Sequence, residues 1–468
     1  MPISLSRPRN ILVKVVRDLG SLRADQRGNI AVMMAFLLPI LLGGLGLGFE
    51  ASNWYLQTRA MQNTADSAVI AAATNNGSNY DVEAKAVAAQ YGFVDGTNNV
   101  TVTASNTATC PAGGNTCYSV TITGMVPLFL SQVVGYAGDT TVNGVKEKTL
   151  SSAAIAKQTT KQQPICLLAL STSGTALRTN GAPNSNFTGC TIMSNSASTC
   201  NGSNLNANYG LAHGTNNGCG NTQNSDIPIV TDPYASMATN IPANTCGSKA
   251  SNFPQLTKNG SKWSGGTSWS GSKNLNGTLQ MCGDVQLTGN VVIHTADSKT
   301  GAVLVIENGQ LDLNGFTLST ANGSAVTIVF SGVTTNPTGN YQHIPNDNSS
   351  GQGGVLDIQA PSGSSALFQG MAIYQNPNLT TGVDITYKGN NPDWKISGGV
   401  YLPNSNVQIS GAVSQSTNGA DCFTMITSTV WINGTSNIYQ QSPDGSGCKQ
   451  AGLNMPSATI PGRTQLVY

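Results

Sequence analysis

Between Arg27 and Glu50 the chain carries 22 consecutive residues without a charge, Gly28 to Phe49, and most are Leu, Ile, Met, Ala, Val, Phe or Gly. At about 1.5 Å rise per residue such a run spans about 30 Å as a helix, the thickness of a hydrocarbon core. Pro39 and the glycines are tolerated in lipid where they would break a soluble helix. A cleaved signal peptide fits less well. The basic stretch is long, the apolar run exceeds a simple h-region, and helical sequence continues beyond Glu50. The expectation is an uncleaved single-pass anchor at residues 29–49. Arg7, Arg9, Lys14, Arg17, Arg23 and Arg27 crowd the segment before it, so residues 1–28 are expected on the cytoplasmic side and the rest across the membrane. Gly44 and Gly48 form a G-x-x-x-G pair suited to close helix packing.

Past Glu50, Leu56, Met61, Ala65, Ala68, Val69 and Ala72 recur at steps that build one apolar stripe. The helix is expected to run to about Thr74, where Asn75-Asn76-Gly77 stops it. A second helix is predicted over Asp81–Tyr91 and a short amphipathic one over Val126–Val134. Strands are predicted over Val100–Ala104, Tyr118–Thr123 and Thr141–Val145.

Several of these residues resemble a known family. Arg27-Gly28-Asn29-Ile30-Ala31, the apolar span, Glu50 at its outer end, and Gln62-Asn63-Thr64-Ala65-Asp66-Ser67-Ala68 running into alanines are similar to the N-terminal module of TadE/TadG-like Flp (Tad) pilus-assembly proteins. The resemblance covers roughly the first sixty to seventy residues; the family often carries Asp where Glu50 stands. It implies a pilin-like α+β stalk over 50–156, a place in the bacterial inner (cytoplasmic) membrane with the bulk periplasmic, and Tad secretion or pilus machinery as partners. Arg27, Gly28, Glu50 and Asp66 are its motif residues. Gly28 follows basic residues as a prepilin cleavage site would, but the fifth residue beyond it is Met33, not Glu, so no processing is expected there.

A Lys/Gln/Thr linker is expected at 157–163, then a Cys-rich exported β region at 164–283. Ser171-Thr172-Ser173 lacks the Asp that a von Willebrand-type metal site in this family would need, so no metal is expected. Cys166 through Cys190, Asn195-Ser196, and Asp232-Pro233-Tyr234 ahead of Cys246 resemble a different exported region found in some TadG-like chains. All ten cysteines lie beyond residue 109, and none forms Cys-x-x-Cys, which favours disulfides over zinc. Sequence proximity suggests Cys110–Cys117, Cys166–Cys190 and Cys422–Cys448. From residue 284 to 468 a pattern recurs: apolar, any, apolar, Ser/Thr/Asn, Gly. It appears at Val285–Gly289, Leu311–Gly315, Trp394–Gly398, Val407–Gly411 and Val430–Gly434. Short strands closed by Gly turns suit a β-solenoid; a β-sandwich is the alternative. The fold class is thus mainly β with an N-terminal α segment.

The net charge of +1 offers no field for nucleic acid. No cofactor motif, G-x-S-x-G elbow or H-E-x-x-H helix occurs. Asp284, Asp312, Asp357 and Asp384 stand singly, where capping their own loops is the ordinary role, and the three histidines are expected in exposed loops. The reading is a non-catalytic structural component. The alternative is an envelope-anchored carbohydrate-binding or polysaccharide-acting protein, with Trp263, Trp269, Trp394 and Trp431 offering rings to sugars.

Overall fold

The computed structural model describes residues 29–74, 78–111, 113, 117–181, 185–246, 267–332, 343–344, 354–379, 385–387, 393–410, 412–414, 416–434, 437–438 and 446–467. The chain forms two compact units, Met1–Thr160 with Pro461–Tyr468, and Lys161–Ile460.

The first unit is built on one helix, α1 (Asn29–Thr74), which contains Pro39 and is long and apolar enough to cross a membrane. α2 (Tyr80–Gln90) follows, then β1 (Thr101–Ala108) and β2 (Cys117–Pro127), an antiparallel pair. β3 (Thr140–Val142) and the start of β4 (Val145–Ala169) form a hairpin, and β4 also pairs antiparallel with β2. Met61, Ala65, Ala68, Val69 and Ala72 of α1 are buried with Val120, Ile122 and Ala154 of the sheet. Alanine at three of those five helical positions lets the helix lie close to the strands.

Three local expectations change. Leu56 is 65% exposed, because at about 100° per residue it falls off the buried stripe. The stripe passes instead through half-buried Trp54 and reaches Glu50 and Gly46, both buried. The helix expected at Val126–Val134 is divided. β2 keeps Val126 and Pro127 paired to Lys148 and Glu147, and only Ser131–Val134 turns, as a 3-10 helix. The strand expected over Thr141–Val145 folds back on itself, since Asn143 and Gly144 take positive φ of 48° and 82°, the pair that tight hairpins favour.

Residues 157–163, read as a linker, lie within the extended β4, exposed at 160–162 where the chain passes from one unit to the other. The second unit is a stack of parallel strands. Ala302–Glu307 pairs with Gly277–Cys282 on one side and Val326–Ser331 on the other, all parallel. The repeated apolar pairs lie in register across coils: Val285 opposite Leu311, Leu356 opposite Trp394, Trp394 opposite Val413, Val407 opposite Val430. Each of these residues is at most 1% exposed. This parallel, solenoid-like stacking differs from the antiparallel pairing of a sandwich.

The coils do not stack in chain order. Phe423–Gly434, from the last part of the unit, pairs parallel with its first part: Met425 opposite Leu167, Ile426 opposite Leu168, and Val430 opposite Leu177. From there the stack continues through Thr191–Ser194, Tyr209–Ala212 and Thr222–Asn224. The first coil therefore sits inside the stack, and joining the two runs covers two edges that would otherwise stay open.

Candidate functional site

Among the described residues no three His, Cys, Asp or Glu side chains come together as a metal-binding group. Two polar arrangements are nevertheless built with care, one in each unit.

In the first unit, the Glu50 side chain receives three consecutive backbone N–H groups. Phe129 donates to Oε1 at 2.5 Å, Leu130 donates to the same oxygen, and Ser131 donates to Oε2 at 3.0 Å. Glu50 is 3% exposed. Desolvation alone would raise its pKa, but the bonds converging from the 129–131 turn outweigh that and hold the carboxyl below the ordinary carboxylate value. One turn lower on the helix, a methyl group at Gly46 would come within 2.8 Å of Leu130 Cβ, so that side chain lies directly on the helix backbone. One turn higher, the Trp54 and Tyr136 rings are 5.9 Å apart, and Lys148 Nζ stands 5.2 Å over the Trp54 ring. Glu50 thus fastens the 129–136 turn to the helix.

Glu50→Ala removes an ionic acceptor shared by three amides. Charge-assisted hydrogen bonds of this kind contribute about 1.5–3 kcal/mol each, and stranded amides cost about 1–3 more. The expected local loss is about 3 kcal/mol or more, a roughly hundredfold fall in hydrogen-exchange protection at Leu130 and Ser131. Unchanged protection would mean the carboxylate is dispensable.

Asp66 accepts from Gln62 Nε2 at 2.8 Å, and the same nitrogen reaches the Ala153 carbonyl at 3.1 Å, tying the helix to β4. Among the described residues, nothing beyond the helix's own nearby backbone approaches within 4 Å of a methyl placed at Gly44 or Gly48, so that face is open. Arg27 and Gly28 lie outside the described residues.

In the second unit, a strap over residues 227–241 crosses the coils. Asn195 brackets Val230, donating from Nδ2 to its carbonyl at 2.8 Å and accepting its N–H at 2.9 Å. The Asp232 carboxylate accepts from the Tyr401 hydroxyl at 2.7 Å and from the Tyr234 N–H at 3.1 Å. Tyr234 donates to the Asn454 carbonyl at 2.6 Å, and Tyr374 donates to the Tyr234 carbonyl at 2.9 Å. Burial holds all three phenols above the ordinary tyrosine value. They serve as hydrogen-bonding struts. The Asn195 and Asp232-Pro233-Tyr234 signals were visible in the sequence; their common purpose was not.

Cysteines pair as Cys110–Cys117, Cys166–Cys190 and Cys422–Cys448, and also as Cys200–Cys219 and Cys246–Cys282, which proximity did not single out. The isolated acids do more than cap their own loops. Asp312 does cap one, accepting the Asn314 N–H. Asp284, however, accepts the Gln310 N–H at 2.9 Å from the neighbouring coil, and Asp357 accepts from Ser416 Oγ at 2.7 Å. Asp384 lies outside the described residues. His213 and His294 are exposed as expected, but His343 is fully buried, stacked on Phe330 at 4.2 Å and 2.8 Å from Gln375 Nε2. A polar loop context cannot reveal a histidine folded into a coil.

The tryptophans divide similarly. Trp394 and Trp269 are core residues, 0% and 5% exposed. Trp431 borders an open groove with Ser173, Thr175 and Gln408, but the Arg178 guanidinium lies 4.3 Å over its ring centroid. Trp263 lies outside the described residues.

Residues 28–75 match a family model described as putative Flp pilus-assembly TadE/G-like. No curated protein and no solved structure matches the chain.

Proposed function

We propose that the chain is a membrane-anchored, non-catalytic structural component of a Tad (Flp) pilus or a related envelope apparatus. The observation that carries the proposal is the match of residues 28–75 to the TadE/G-like pilus-assembly family, which falls on α1. In this reading residues 1–28 are cytoplasmic, residues 29–49 cross the bacterial inner membrane, and the remainder is periplasmic. The pairing of all ten cysteines supports an oxidising compartment for them. The open Gly44/Gly48 face supports a partner helix in the bilayer, supplied by Tad secretion or pilus machinery.

Two measurements test this. Alkaline phosphatase fused after Tyr468 is expected to be active, and a fluorescent protein there that folds only in the cytosol is expected to stay dark. The opposite result inverts the topology. Photo-crosslinking from Gly44 or Gly48 in intact cells is expected to capture Tad platform or pilin subunits. Consistent capture of unrelated proteins would remove the pilus assignment.

A further inference from the structure

We propose that the turn at Phe129–Leu130 is a second membrane contact, inserted into the outer leaflet of the same bilayer that α1 crosses. This rests on the anchor reading above and goes beyond it.

The argument begins with exposure. Phe129 is 68% and Leu130 45% exposed, adjacent large apolar side chains at the tip of a turn. In water such a tip would be costly to maintain. It is nevertheless held firmly, because the three amides of residues 129–131 all bond to Glu50.

Depth comes next. Leu130 lies on Gly46, four residues below Glu50 and inside the uncharged run Gly28–Phe49. At about 1.5 Å per residue this sets the side chain about 6 Å toward the membrane from the carboxylate. The neighbouring helix residues Leu45 and Phe49 are 72% and 71% exposed, as lipid-facing groups would be. The apolar tip is therefore continuous with the apolar surface of the span.

The residues on the other side of Glu50 complete a gradient. Trp54, Tyr136 and Lys148 gather one turn higher. Aromatic rings with polar edges, and lysines reaching toward headgroups, concentrate at membrane–water interfaces. Apolar tip, satisfied carboxylate and aromatic–lysine cluster follow one another in the order of acyl chains, boundary and headgroups. A turn of this kind would hold the helix at a fixed rotation and depth, since a second contact removes the freedom a lone helix retains.

Site-specific fluorescence tests the proposal on the full chain. No described cysteine is free, so one introduced thiol is a unique label site. Phe129→Cys, Leu130→Cys, Phe49→Cys and Asn106→Cys variants would each carry an environment-sensitive dye. They would be reconstituted in phosphatidylethanolamine/phosphatidylglycerol vesicles with and without nitroxide-bearing lipid. Asn106 is exposed near the end of β1 paired to the start of β2, away from the turn. The expected result is a blue shift and lipid-nitroxide quenching at 129 or 130 comparable to that at 49, and neither at 106. Quenching at 49 with none at 129 or 130 overturns the insertion and leaves the anchor standing; a blue-shifted but unquenched label there would assign the turn to a protein contact. Absence of quenching at 49 as well would remove the anchor, and the insertion with it.

Discussion

Full reduction of the purified protein is expected to unfold the Lys161–Ile460 unit at temperatures where the oxidised protein stays folded. Four disulfides lie in that unit, closing separations of 24, 19, 36 and 26 residues. Each contributes about 2–4 kcal/mol, mainly by limiting the unfolded chain. Together they amount to about 10 kcal/mol, comparable with the whole stability of an ordinary domain at about 5–15 kcal/mol. The unit depends on them because it is rich in turns and poor in charge pairs: the described ion pairs involve only Asp81, Lys85, Asp95, Asp139 and Lys148, all in the first unit. Cys422–Cys448 is the most informative single pair. Cys422 precedes the strand that meets the first coil, and Cys448 lies in the short helix Ser446–Gln450. Replacing both by Ser is expected to lower the melting temperature by several degrees, at about 2–4 °C per kcal/mol for a unit of this size. Calorimetry with and without reductant reads both effects. An unchanged transition after verified reduction would show that the coils stand without their staples.

A second large effect is expected from pH, through two buried groups with opposite signs. Desolvation pushes Asp284 up to about 7, with the Asp312 charge adding to it and the Gln310 N–H opposing it. An acid whose folded pKa is raised stabilises fully below its unfolded value, near 3.8, and that contribution is lost as pH rises through 7. At about 1.36 kcal/mol per unit the loss is on the order of 4 kcal/mol. Burial pushes His343 down to about 3, so its neutral form is favoured in the fold. Here stability is complete above the unfolded value of 6.5 and falls as pH drops toward 3. Between about pH 4 and 6.5 the two slopes oppose each other and largely cancel. Asp284→Asn keeps an oxygen for the Gln310 N–H and removes the acid. Its denaturation midpoint is expected to lose the wild-type decline above about pH 6.5, and below that pH to fall on acidification where wild type stays nearly flat. His343→Gln is expected to do the reverse. Because the new amide can itself be left unpaired, slopes against pH are the test, and parallel wild-type and Asp284→Asn curves would refute it.

Much was legible from local pattern. The uncharged run before Glu50 dictated a long apolar helix, since every backbone group must be satisfied within it. The pairs Val285/Leu287 and Val430/Ile432 announced buried strand faces through their two-residue period. Ala65, Ala68 and Ala72 marked the helical contact face. The turn at Asn143-Gly144 was not anticipated within the strand expected over Thr141–Val145, although that dipeptide is one tight hairpins favour.

Other features needed the assembled chain. That Met425 pairs with Leu167 follows from which strand edge remains open after each run of coils has stacked, and no local period encodes an edge. His343 looks like a loop residue until neighbouring coils close over it. Glu50 reads as a charge stopped at a membrane boundary; only the turn arriving from residues 129–131 makes it a clamp. Short-range sequence sets backbone preference and the side that must avoid water. Which distant group supplies the cover, or the missing hydrogen bond, is decided when the folded chain brings the two together.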